Sequence, residues 1–82
     1  MYRYSEAVRS GEGVLANMTP SQARFADLAK DNELQVVYDY LVRGEATVCT
    51  HFHDAELIRE FQSIPNCVVH QEGIDYIAYI EV

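Results

Sequence analysis

The segment that most constrains this chain is its last nine residues, Ile74-Asp-Tyr-Ile-Ala-Tyr-Ile-Glu-Val82. Their β-branched and aromatic content predicts a strand, in which Ile74, Tyr76, Ala78, Ile80 and Val82 share one face and Asp75, Ile77, Tyr79 and Glu81 the other. Apolar groups thus lie on both sides, whereas a strand with one wet face alternates more cleanly. Either further layers cover both faces, or one face meets a second chain. A chain of 82 residues sits near the lower limit for a self-sufficient core, and the second option needs less material. The expectation is therefore a homodimer or partner contact through this strand.

The rest of the chain supplies elements to pair with it. Thr19-Pro20-Ser21-Gln22 combines a Thr N-cap, Pro at the first helical position and Gln to return the capping hydrogen bond. With Phe25, Leu28 and Ala29 on one face, it predicts a helix over about Pro20 to Lys30, ending at Asp31-Asn32. Residues 33–43 fit a strand with Leu34, Val36, Tyr38, Tyr40 and Val42 on one face, or a helix aligning Leu34, Val37 and Leu41. The strand is preferred, because Arg43-Gly44-Glu45-Ala46 reads as a turn into Thr47-Val-Cys-Thr-His-Phe52. Asp54 then caps a second helix carrying Leu57, Ile58 and Phe61, which Pro65 ends. Cys67-Val-Val-His70 and the turn Gln71-Glu72-Gly73 lead into the last strand as a second hairpin. The opening 17 residues show no sustained period and predict no more than a short strand or helical turn. The fold class is α+β over residues 1–82: one small domain, an antiparallel sheet of about four strands with two helices on one face.

Charge speaks to partners. Residues 44–82 hold seven acids, Glu45, Asp54, Glu56, Glu60, Glu72, Asp75 and Glu81, against one base, Arg59. Residues 1–43 are nearly balanced, with six acids and five bases. Such a surface repels polyanions, and the candidate recognition helix of a winged-helix reading, about residues 54–64, carries the wrong sign for a phosphate backbone. Direct DNA or RNA binding is thereby disfavoured. A cationic protein surface is attracted instead, with an association rate that falls as salt rises. No apolar run approaches the roughly 18 residues of a membrane span, and the start lacks the apolar stretch of a secretory signal, which places the chain in the cytoplasm with no membrane partner.

Two side-chain sets bear on chemistry. On a strand, Cys49, His51 and His53 would project together, offering thiolate and imidazole, the ligand types zinc prefers, with Cys67 or His70 as a distant fourth. No Cys-x-x-Cys pair supports the set, so no metal or other cofactor is expected and the cysteines are expected to react readily as free thiols, one bridge between Cys49 and Cys67 remaining open. Cys49 with His51 or His70 and Asp54 could be written as a nucleophile, base and acid. Catalytic partners usually come from separate elements, and this short chain has little material for a water-excluding pocket, so no enzyme is expected. Gly11-Glu12-Gly13 lacks what a phosphate-binding loop needs. The six tyrosines form the second set: Tyr76 and Tyr79 join Glu45, Asp54, Glu56, Glu60, Glu72 and Asp75 as candidate partner-binding residues, while Tyr38 and Tyr40 read as packed on their strand.

The function this predicts is a small acidic, non-enzymatic binding or inhibitor protein that docks on a basic surface of a protein partner, such as a nucleic-acid-binding complex. In size and charge it resembles phage-encoded inhibitors, anti-CRISPR proteins and DNA mimics among them, which implies occupation of a basic channel. The alternatives are a self-associating accessory protein, or a small metalloprotein built on Cys49, His51 and His53.

Overall fold

The computed structural model describes residues 18–82, so the short element expected in the opening 17 residues lies outside the described residues. The elements are α1 (Pro20–Asp31), β1 (Val37–Val42), β2 (Glu45–Phe52), α2 (Leu57–Gln62), β3 (Cys67–Glu72) and β4 (Asp75–Ile80). They form one four-stranded antiparallel sheet in the order β1-β2-β4-β3, with both helices on one face. Each half of the chain is a helix followed by a hairpin, and the two hairpins join through β2 and β4. The α+β architecture expected from the sequence is what the chain adopts.

α1 starts as its sequence dictates. The Thr19 hydroxyl accepts from the Gln22 N–H at 3.1 Å, and Gln22 Oε1 accepts from the Thr19 N–H at 2.9 Å. It ends in a Schellman motif, in which the Glu33 N–H donates to the Lys30 carbonyl and the Leu34 N–H to the Ala29 carbonyl at 2.8 Å. Glu33 occupies the left-handed position, φ 59°, that usually falls to glycine.

Both hairpins close in two residues. Arg43 (φ 55°) and Gly44 (φ 78°) make the I′-type turn between Val42 and Glu45; Gly73 (φ 65°) and Ile74 make the II′-type turn between Glu72 and Asp75. This corrects the expected start of the last strand. Ile74 sits in the turn and is 91% exposed rather than on a strand face. The second helix also starts later than expected, at Leu57, because Asp54 caps a preceding turn: its Oδ1 accepts from the Glu56 N–H at 3.0 Å and its carbonyl from the Leu57 N–H. The shared face expected for residues 34–42 is broken as well. The register of β1 slips between Val37 and Tyr40, so Val36 enters the core while Tyr40 lies opposite Thr47 on the other face and Tyr38 is exposed.

The core lies between the helices and one sheet face: Phe25 and Ala29 from α1, Leu57 and Phe61 from α2, then Ile64, against Val48, Phe52, Ala78 and Ile80. All three phenylalanines meet there. Phe61 lies 5.1 Å from both Phe25 and Phe52, and Phe52 stacks on Tyr76 at 5.5 Å. Buried hydroxyls are satisfied, Thr47 donating to the Ile80 carbonyl at 2.6 Å and Thr50 to the Gln35 carbonyl at 2.7 Å.

Two stability predictions follow from this packing. Phe61→Ala should lower the unfolding free energy by about 3–5 kcal/mol, the usual cost of emptying a buried aromatic site. Glu33→Gly should raise it by about 1 kcal/mol by relieving the left-handed strain. Denaturant melts of both variants check this; a Glu33→Gly protein less stable than wild type would refute the strain argument.

Candidate functional site

The sheet sorts the acidic residues to different places. Phe52 pairs with Tyr76, Gln71 with Tyr76 and Glu72 with Asp75, so β2 ends where β3 ends and β4 begins. Asp54 and Glu56 follow Phe52 off that same end of the sheet, and Ile74 is the tip of the hairpin there. Asp54, Glu56 and Glu72 are exposed and Asp75 is half-buried. His51 Nε2 stands 3.9 Å from Glu72 Oε2, a contact between two largely exposed side chains that adds little to stability.

Glu45 and Glu60 lie elsewhere. Glu45 begins β2, at the opposite end of the sheet, next to the turn whose Arg43 bonds Glu81 at 2.9 Å. Glu60 lines an open groove between the helices with Arg24, Asp27, Asp31 and Ser63. The two tyrosines are separated as well. Tyr76 belongs to the helix face, stacked on Phe52, whereas Tyr79 lies on the opposite face with its ring 5.7 Å from Tyr40 and 5.8 Å from His70, whose Nε2 is 3.4 Å from the Tyr79 hydroxyl.

β4 is hydrogen-bonded along both edges, so a second chain would have to meet it through a face. On the face away from the helices, Ile77 and its neighbours Thr47 and Cys49 are already buried within the chain, so Ile77→Asp would strain the fold rather than simply separate subunits.

The Cys-x-His-x-His set does not converge. Cys49 and His51 share the face away from the helices, but Cys49 is 2% exposed and His53 lies beyond the end of β2. Among the described residues no group of three or more His, Cys, Asp or Glu is placed to hold a metal ion. Burial, and secondarily the Glu72 carboxylate, push the Cys49 thiol above its ordinary value, the opposite of what activates a nucleophile. Burial pushes the Cys67 thiol up to about 12. Cys67 pairs with Ile80 on the helix face and Cys49 with Tyr79 on the other, two strands apart. That spacing is roughly 9–10 Å between Cα atoms, beyond the reach of about 7 Å for a disulfide. Both cysteines are free, and the expected ready reactivity and open bridge are corrected accordingly.

Sequence reasoning missed Ile74 as an exposed tip. The signal was present in Gly73, the residue that a II′ turn takes at its first central position. No helix among the described residues is long and apolar enough to cross a membrane. The chain matches no protein-family model, and no curated protein or solved structure is significantly similar to it.

The thiols give a direct check. With both raised, the thiolate fraction near neutral pH falls below that of an ordinary cysteine, and a disulfide reagent should modify the folded protein much more slowly than the denatured one. A raised folded value also means that the contribution of Cys67 to stability is fully present below pH 9.0 and is lost as the pH rises toward about 12. Equal modification rates in folded and denatured protein would contradict this.

Proposed function

We propose that this is a small cytoplasmic, non-enzymatic binding protein that docks the acidic end of its sheet on a basic surface of a protein partner. The observation that carries the reading is the grouping of Asp54, Glu56, Glu72 and Asp75 around the 91% exposed Ile74. Between residues 44 and 82 only Arg59 offsets the acids. Such an end attracts a cationic surface at long range and offers one apolar side chain for close contact. The sign of the charge favours a partner that itself binds nucleic acid, whose channel is basic, over nucleic acid directly. Size and charge align the chain with phage-encoded inhibitors of the anti-CRISPR and DNA-mimic kind. Two unpaired thiols suit a reducing compartment.

The test is binding to a fluorescent peptide of alternating arginines and leucines, followed by anisotropy across a salt series. Affinity should fall steeply as salt shortens the screening length below ~10 Å. Glu72→Gln with Asp75→Asn should weaken binding by about tenfold, equivalent to ~1.4 kcal/mol. Glu45→Gln, at the far end, should leave it unchanged. Affinity independent of salt, or equal loss from the Glu45 change, would contradict the assignment.

A further inference from the structure

All three histidines of the chain, His51, His53 and His70, stand at or beside the acidic end of the sheet. His51 pairs with Ile77 across β2 and β4, and Ile77 pairs with His70 across β4 and β3, so the two imidazoles share one cross-strand row on the face away from the helices. Two positions further toward the end, on the same face, Glu72 and Asp75 pair across the second hairpin. His53 follows β2 off the sheet, next to Asp54. Imidazole is the side chain whose charge ordinarily changes between about pH 5 and 8. We propose that protonation of these three histidines switches the docking of the acidic end off, so that the protein holds its basic partner near neutral pH and releases it as the pH falls. The proposal rests on the docking reading above and adds its regulation.

Charge is what the switch acts on. Glu72 and Asp75 are directly opposed across the hairpin, and like charges so placed repel. A cation beside them relieves that repulsion, and it can come from either of two sources. A basic partner brings one from outside. His51, with Nε2 3.9 Å from Glu72 Oε2, supplies one from within once its ring is protonated, and the two then compete for the same carboxylates. At neutral pH the end presents Asp54, Glu56, Glu72 and Asp75 as four negative charges; three imidazoliums against them leave a net charge of one. The rings are reachable by solvent: the His51 side chain is 57% exposed, and His53 and His70 are exposed.

The groups that face the imidazoles come from β2, β3 and β4 and the segment after β2, because the helices pack on the other face and the pairing of β1 with β2 reaches no further than Val37 and Cys49. His51 shares its face with Cys49 on its own strand, Glu72 on β3 and Asp75 on β4. His70 shares it with Glu72 on its own strand and with Tyr79 on β4, whose hydroxyl is 3.4 Å from His70 Nε2. His53 is followed by Asp54 and Glu56. β2, β3 and β4 carry no lysine or arginine. Carboxylates ordinarily titrate near pH 4 and phenols near pH 10, and burial raises the Cys49 thiol further, so the imidazoles are the groups here that change charge as the pH falls from about 8 to 5.5.

The test uses the full chain and the same peptide of alternating arginines and leucines, its termini blocked so that its own charge stays constant, with anisotropy read from about pH 8 to about pH 5.5 at fixed ionic strength. Wild-type affinity should fall by at least about tenfold over that range, since neutralising two of the four carboxylates is already expected to cost as much. A variant combining His51→Gln, His53→Gln and His70→Gln should bind at about pH 5.5 within about twofold of wild type at about pH 8. All three side chains are exposed, and unchanged circular dichroism at both ends of the range shows that each protein is folded. If the triple variant is not, His51→Gln with His53→Gln serves and should remove most of the fall. A wild type that binds equally well across the range overturns the switch and leaves the docking reading standing. So does a triple variant whose affinity falls as the wild type's does. A wild type that binds the peptide at no pH overturns the docking reading and the switch with it.

Discussion

The pairing of β2 with β4 is the contact on which the rest of this structure depends. Cys49 through Phe52 lie against Tyr79 through Tyr76, and among the described residues this is the strand pairing that joins the first hairpin to the second. An isolated hairpin is marginal in water. Joined at this seam, the two become a sheet wide enough to carry both helices, and the strand with apolar groups on both faces gains neighbours on both edges.

The helices reinforce the seam rather than forming a separate layer of contacts. Phe25, Phe61, Phe52 and Tyr76 run in ring-to-ring contact from α1 through α2 to β2 and β4. Each such pair adds about 0.5–1.5 kcal/mol beyond its buried area. With the core this small, four rings that link four elements account for much of its specificity. The same seam places function: because β2 ends beside the start of β4, the acids that follow Phe52 and those flanking Gly73 reach one end of the sheet.

Features set by neighbouring residues were legible in the sequence. The Thr19 cap and the Arg43-Gly44 turn are local, and the elements they bound are present, while the second helix ends at Gln62, short of the expected stop at Pro65. The two-sided apolar pattern of the last strand was legible too, but its place between β2 and β3 was not. Centrality in the sheet depends on which hairpin edge meets which, a choice made by packing across more than 20 residues of chain. The slip in β1 carried Tyr40 to the opposite face from Val36, and strict alternation cannot register an extra residue. For the candidate site, the acidic character of residues 44–82 was legible as composition. The opposite faces of Tyr76 and Tyr79 follow from alternation along one strand and were legible too; that Glu45 and Glu60 stand apart from Asp54, Glu56, Glu72 and Asp75 depends on how the strands and helices assemble and was not.

Native-state hydrogen exchange resolved by residue tests the central role of the β2–β4 seam most directly. Amides of residues 49–52 and 76–79 that bond across it should exchange most slowly and together, only through global unfolding, while the outer sides of β1 and β3 exchange faster. If the two hairpins instead exchange as separate units, with seam amides no better protected than those of the edges, the seam does not organise the fold and the account fails.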